Sequence, residues 1–220
     1  MKKLLLFLII IISLQIASAQ NVVYGVKGGL NYSKYIENFD SAIKYKSKLG
    51  YQIGGFVKIE LTNNLFVQPE LLFILQGTKF DINLFELHLP QEDLNVLPSN
   101  ASNVKINESN IVLPVMLKYY IINNLNVEIG PQLDYMFWVS EENIEFRQDG
   151  SSIVNDSGST SDFNFGLNLG AGYDFNEKAG VGLRYNYGFN RLFKGELSEF
   201  NNGYKLRNSI FQLSFEYRFN

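Results

Sequence analysis

The stretch FNFGLNLGAGYDF, Phe163 to Phe175, decides the fold. Phe163, Phe165, Leu167, Leu169, Ala171, Tyr173 and Phe175 alternate with Asn164, Gly166, Asn168, Gly170, Gly172 and Asp174. Successive side chains of a β-strand point to opposite faces, so this spacing puts an apolar, aromatic row on one side and a small, polar row on the other. A soluble antiparallel sheet buries its apolar face in a core and exposes the polar one. Here the polar row is mostly glycine and asparagine, and the apolar row is aromatic toward its ends. That suits a strand whose outside meets lipid and whose inside lines a narrow lumen.

The same period of two recurs along the chain. Val22 to Ser33 sets Tyr24, Val26, Leu30 and Tyr32 against Gly25, Lys27, Gly29 and Asn31. Leu49 to Leu61 sets Tyr51, Ile53, Val57 and Ile59 against Gln52, Gly54, Lys58 and Glu60. Leu65 to Gly77 opposes Val67, Pro69, Leu71, Phe73 and Leu75 to Gln68, Glu70 and Gln76. Asn110 to Ile121 turns Ile111, Leu113, Val115, Leu117 and Tyr119 outward and Lys118 inward. Leu125 to Trp138 sets Val127, Ile129, Leu133, Tyr135 and Phe137 against Asn126, Glu128, Gln132 and Asp134. Gly180 to Asn190 opposes Val181, Leu183, Tyr185, Tyr187 and Phe189 to Arg184 and Asn186. Asn208 to Phe219 opposes Phe211, Leu213, Phe215, Tyr217 and Phe219 to Gln212, Ser214, Glu216 and Arg218.

These segments predict an all-β protein, an eight-stranded antiparallel transmembrane β-barrel. The even number is what antiparallel closure of a single chain needs. Tyr24, Tyr32, Tyr51, Tyr119, Tyr135, Tyr173, Tyr185, Tyr187, Tyr217 and Phe219 would supply its interfacial girdles.

The connections agree. Thr62-Asn63-Asn64, Ile122-Asn123-Asn124 and Asn176-Glu177-Lys178-Ala179 are tight and rich in turn-forming residues. Ser33 to Lys48, Thr78 to Ser109, Val139 to Asp162 and Arg191 to Arg207 are long. Long and short alternate strictly, as short periplasmic turns and long external loops do in such barrels.

The chain opens MKKLLLFLIIIISLQIASAQ: a positive start, a short apolar core and a small-residue Ala17-Ser18-Ala19 site. This reads as a signal peptide over residues 1–19, leaving residues 20–220 as the barrel domain. Its apolar run is shorter than the roughly 20 residues a membrane helix needs. Loss of Lys2 and Lys3 takes the formal net charge from −3 to −5. That acidity, with no basic cluster, excludes nucleic acid as the expected partner. The absence of cysteine removes disulfides, thiolate metal sites and a lipid-modified cysteine from consideration.

QPELLFILQG (Gln68 to Gly77), IVLPVMLKYY (Ile111 to Tyr120) and EIGPQLDY (Glu128 to Tyr135) resemble the outer-membrane β-barrel domain common in Bacteroidetes. That group is often labelled porin-family or PorT-like and is a small OmpA/OmpX-type barrel. GLNLGAGYDF (Gly166 to Phe175), LRYNYGFN (Leu183 to Asn190) and LRNSIFQLSFEYRF (Leu206 to Phe219) are similar to the same group. The resemblance covers essentially the whole mature chain and implies an outer-membrane location. It does not imply an activity. Members usually end on an aromatic residue; here Phe219 is penultimate and Asn220 last.

The inward charges form the candidate site. Lys27, Lys58, Lys118, Arg184 and Arg218 oppose Glu60, Glu70, Glu128, Asp134, Asp174 and Glu216. An eight-stranded interior is just wide enough for side chains, and a buried unpaired charge is strongly destabilising. The expectation is a salt-bridged structural plug; the alternative is a narrow ion or proton path, or a gate. Inward Gly25, Gly54, Gly130, Gly166, Gly170 and Gly172 would make room for the long side chains.

No catalytic, cofactor or metal site is expected. The one histidine, His88, lies in the second long loop near Asp81, Glu86, Glu92, Asp93 and Ser99, and reads as a solvated side chain. It has no second histidine or cysteine to share a metal. Gly28-Gly29 and Gly170-Ala171-Gly172 lie inside strands, where no phosphate-cradling turn forms.

In the second loop Phe80, Ile82, Leu84, Leu87 and Leu89 keep partial alternation before Pro90, and Val104 and Ile106 do so on the return. This is either a protruding hairpin, able to capture a partner by β-augmentation, or a loop packed over the barrel mouth. Gln148 to Ser152 and Asn155 to Asp162 are polar. Asp40-Ser41-Ala42 resembles an O-glycosylation acceptor of the same bacterial group. The expected partners are outer-membrane lipid and a protein or host ligand at the external loops. A surface-interaction or envelope and secretion-support role is set against a narrow porin-like channel.

Overall fold

The computed structural model describes residues 22–36, 43–82, 101–143, 153–155, 162–189 and 207–219. The signal-peptide segment, Asp40-Ser41-Ala42, His88 with its acidic neighbours from Glu86 onward, the Gln148–Ser152 stretch and Asn220 lie outside these residues.

Nine strands are described: β1 (Val22–Ile36), β2 (Ile43–Thr62), β3 (Leu65–Ile82), β4 (Ala101–Ile122), β5 (Leu125–Asn143), β6 (Ile153–Asn155), β7 (Asp162–Asp174), β8 (Ala179–Gly188) and β9 (Arg207–Arg218). Eight of them close a ring in the order β1-β2-β3-β4-β5-β7-β8-β9, every neighbour antiparallel. The first and last strands meet, with Lys27 opposite Glu216 and Leu30 opposite Leu213. The short β6 stands outside the ring and pairs with the far end of β5, Glu141 opposite Asn155. The sequence does not show it, because three polar-flanked residues carry no period.

The turn ends fall where the sequence puts them. Loop ends differ: β2, β3, β4 and β5 all run several residues further. Above the membrane a strand pair needs only its ladder, so segments such as Lys44–Lys48 pair without apolar alternation. Between the two readings of the second loop, the described part supports the hairpin: Phe80 faces Val104 and Ile82 faces Ala101.

Alternation sorts the faces. Tyr24, Leu30, Tyr51, Leu71, Phe165 and Leu213 are exposed to the outside, while Lys27, Gln68, Lys118 and Arg184 are buried within. Ile59 is a correction: its parity points outward, yet it is buried, flanked in register by Val22 and Val67. The interior is also less polar than the sequence suggests. Leu72, Ile74 and Val112 form a buried cluster, and Tyr35, Ile106, Met136 and Val139 form another nearer the loop end. Leu72 and Ile74 share the inward parity of Glu70 and Gln76 and interrupt the polar row with apolar side chains.

Gly77 on β3 has φ of +145°, a conformation that suits residues without Cβ. Its carbonyl accepts from Ser33 Oγ at 2.6 Å, and its N–H donates back to that oxygen at 3.0 Å. A Cβ at this position would meet the Ile106 carbonyl oxygen. Gly77→Ala is therefore expected to destabilise the barrel by roughly 1–3 kcal/mol, read from urea unfolding out of lipid vesicles.

Candidate functional site

The lumen is organised by charge. Lys27 (β1), Glu70 (β3), Lys118 (β4), Glu128 (β5), Arg184 (β8) and Glu216 (β9) converge in its middle. Lys27 Nζ lies 3.2 Å from Glu70 and 3.1 Å from Glu216. Lys118 Nζ lies 3.0 Å from Glu216 and 3.3 Å from Glu128. Arg184 donates from Nε to Glu128 at 2.7 Å, and from Nη1 and Nη2 to the two oxygens of Glu70 at 2.9 Å each. The pairs form a closed ring of alternating sign: Lys27, Glu70, Arg184, Glu128, Lys118, Glu216 and back to Lys27. Each of the six touches two opposite charges within the ring, which is neutral, and Glu216 also lies 3.9 Å from Arg218 Nη2.

The register explains how strands far apart in sequence deliver it. Lys27 faces Glu216 across the β1–β9 ladder, and Lys118 faces Glu128 across β4–β5. The remaining contacts cross the lumen. β2 and β7 contribute glycine at this level: Gly54 is paired with Lys27, and Gly170 with both Glu128 and Arg184. A Cβ on Gly170 would stand 2.9 Å from a Glu128 carboxylate oxygen, so that side chain could not hold its place. Gln68 Nε2 donates to Glu70 at 2.9 Å and to Glu216 at 3.2 Å, further satisfying the carboxylates.

A second group sits toward the short turns. Lys58 Nζ donates to Tyr120 Oη at 2.6 Å, and that hydroxyl donates to Asp174 at 2.6 Å. Arg218 pairs with Asp174 and donates to the carbonyls of Asn176 and Glu177. The Lys58 ammonium also stands 4.4 Å from the Phe66 ring centre and 4.5 Å from that of Tyr120, a cation–π arrangement. Lys58, Tyr120, Asp174 and Arg218 line an open vestibule of about 900 Å³ at this end, with Glu60 on its rim.

Of the predicted network, the ring takes Lys27, Glu70, Lys118, Glu128, Arg184 and Glu216, and the turn-end group takes Lys58, Asp174 and Arg218. Asp134 joins neither. It lies toward the loop end and accepts from Asn110 Nδ2 at 2.7 Å. Sequence reasoning missed Glu108, a buried carboxylate that accepts from Tyr35 Oη and, at 2.9 Å, from Gln76 Nε2. Its strand was expected to begin at Asn110, two residues later, because the preceding residues are too polar to show a period. Among the described residues no group of three or more His, Cys, Asp or Glu side chains could hold a metal ion.

A closed antiparallel barrel with an aromatic, apolar exterior and an ion-paired interior is the build of a small outer-membrane β-barrel protein. The chain belongs to the outer membrane protein beta-barrel domain family, whose profile matches residues 18–194. Its place is accordingly the outer membrane.

Several solved structures are similar in shape. Neisserial surface protein A is 10% identical, with 91% of this chain and 100% of that one covered at a TM-score of 0.49. Ail of Yersinia pestis is 13% identical over 91% and 100% of the two chains, TM-score 0.47. OprG of Pseudomonas aeruginosa is 12% identical over 92% and 98%, TM-score 0.45. No curated protein matches the sequence.

Removing one cation breaks the ring and leaves two carboxylates under-compensated inside the barrel. Arg184→Met is expected to lower stability by about 3–5 kcal/mol. Adding Glu70→Gln in the same chain should recover part of that loss in the same urea titration, because one stranded charge is then gone.

Proposed function

We propose that the protein is a non-conducting, non-enzymatic outer-membrane barrel that acts at the cell surface through its external loops. On this reading residues 1–19 are the export signal, removed before Gln20. The observation that carries it is the six-membered ring of alternating charges across the lumen. Opening a path through it would separate buried ion pairs, which costs several kcal/mol for each charge left alone. A lumen closed in that way moves the working surface to the outside.

There, among the described residues, the extended ends of β2 to β5 build the tallest stretch of wall. Its β3–β4 hairpin is flanked by β2 and β5, so the wall reaches outward as a continuous sheet, and a protein partner would meet that sheet. The family resemblance to PorT-like barrels of Bacteroidetes supports envelope or secretion support, or capture of a host ligand, as the task of that wall. The channel reading is disfavoured by the neutral ring.

Two experiments test this. In planar bilayers the purified barrel should give no steady conductance; a steady current that changes in Lys118→Met would overturn the sealed-lumen reading. Deleting residues 83–100 and joining β3 to β4 by a short turn should leave a folded barrel that no longer supports surface binding by intact cells. Undiminished binding by that variant would move the contact away from the hairpin.

A further inference from the structure

The outside of the barrel carries a charge pattern of its own at the loop end. Lys46 on β2 stands opposite Lys79 on β3, and Lys79 stands opposite Lys105 on β4. Residues directly opposite in a ladder share one face, so these three form a single row. That face is the outer one, because a sequence neighbour of each turns inward. Tyr45 packs against Tyr35 of the interior cluster, Thr78 is fully buried, and Ile106 belongs to the same cluster as Tyr35. Lys46 is exposed, and Lys79 and Lys105 are half-buried.

Two more cations extend the row on the adjoining strands. Lys34 on β1 is exposed between the buried Ser33 and Tyr35. Arg207 on β9 pairs with Ile36, and its neighbour Asn208 is buried. The Arg207 guanidinium lies 5.6 Å from the Tyr187 ring centre and donates to that hydroxyl at 2.5 Å. Since β9, β1, β2, β3 and β4 are consecutive around the ring, five adjoining strands each place a cation on the outside. Acids along this stretch are fewer: in register, Asp81 opposes Lys44, and Glu142 opposes Lys105.

The row begins where the lipid-facing band ends. Tyr32 and Leu49, both more than half exposed, are outward residues of that band. Lys34 is the next residue on the face of Tyr32, about 7 Å further along the strand, and Lys46 is three residues from Leu49 on the loop side. Lipid headgroups lie at this height, just beyond the aromatic girdle.

Like charges directly opposite one another in a ladder repel, so the isolated barrel gains nothing from lining up Lys46, Lys79 and Lys105. A multiply charged anion laid across the row turns that repulsion into attraction. Anionic headgroups at a membrane surface draw Lys and Arg in this way. Arg207, its plane set by Tyr187, adds the planar fork that matches phosphate oxygens. The cations point sideways from the wall, immediately above the girdle, so the anion they meet belongs to the leaflet.

We propose that Lys34, Lys46, Lys79, Lys105 and Arg207 form a binding site for the phosphorylated headgroup of an outer-leaflet glycolipid, whose acyl chains lie on the apolar band below. The site requires only the outer-membrane location and stands whether or not the lumen conducts.

The test uses the whole mature protein refolded in zwitterionic detergent micelles. The probe is an acylated, phosphorylated glucosamine disaccharide, with its dephosphorylated form as control, and binding is read by native mass spectrometry. Wild type should bind the phosphorylated lipid at least tenfold more tightly than the control. Lys46→Gln, Lys79→Gln and Lys105→Gln combined should weaken that binding at least tenfold, and the lipid-free urea midpoint should hold or rise as the repulsion is removed. Arginine at the same three positions should keep the binding. Should the triple glutamine variant fail to fold, Lys79→Gln alone, at the centre of the row, should weaken binding severalfold. The site is overturned if the dephosphorylated lipid binds as tightly, or if a folded glutamine variant binds like wild type. It is equally overturned if a sulfated oligosaccharide binds the barrel more tightly than the lipid does, because the row then serves a glycan outside the membrane.

Discussion

The ladder between β1 and β9 is the constraint on which the rest of the molecule depends. In hydrocarbon no water is available to an unpaired backbone N–H or C=O, so a sheet in the membrane must have no open edge. Pairing Gly25 through Ile36 with Arg207 through Arg218 removes the last two edges. Once the ring is closed at eight strands its bore is fixed, and a bore that narrow is filled by side chains. Everything inside follows from that limit. Lys27 and Glu216 are both members of the closing ladder and members of the ion-pair ring, so backbone closure and lumenal charge are set by the same register.

Filling the bore imposes a division of labour among strands. Six strands send one charge each to the middle, and β2 and β7 answer with Gly54 and Gly170. Bulk at Gly170 would displace the Glu128 side chain, and bulk at Gly54 would collide with the Leu71 carbonyl and Leu72 of the neighbouring strand. The bidentate contact of Arg184 with Glu70 fixes orientation as well as charge, because a planar guanidinium meets both oxygens of a carboxylate at once. The ring is flanked by different chemistry on its two sides. Toward the turns lie Lys58, Tyr120, Asp174 and Arg218, with aromatic faces under the ammonium. Toward the loops lie buried Leu72, Ile74 and Val112, and beyond them two carboxylates bonded by neutral partners. The lumen is thus polarised along its length although its waist is neutral.

The outer end is uneven as well. Among the described residues, β2 to β5 extend further toward the loop end than β7, β8 and β9. On the proposed sealed-lumen reading that wall is the surface left to meet a partner, and Glu108 and Asp134 lie buried on its strands β4 and β5.

How much of this was legible beforehand differs by feature. Phe163–Phe175 shows its strand and its faces outright, because apolar contact with lipid on one side and a crowded lumen on the other force opposite residue types at alternate positions. The tight Asn-rich turns and the number of strands follow in the same way. The upper strand ends were hidden, since Lys44–Lys48 or Lys105–Glu108 pair above the membrane where no apolar row is needed. Leu72 and Ile74 did not stand out as lumenal because Leu71–Leu75 is an unbroken apolar run between Glu70 and Gln76. Sequence by itself determined the barrel, its handed-out faces and the list of charges that had to be inside. The tertiary structure alone decided which charges meet, placing Arg184 against Glu70 from the far side of the ring and Asp134 against the neutral Asn110, because partners across a lumen are set by strand stagger and bore and leave no spacing in the chain to read.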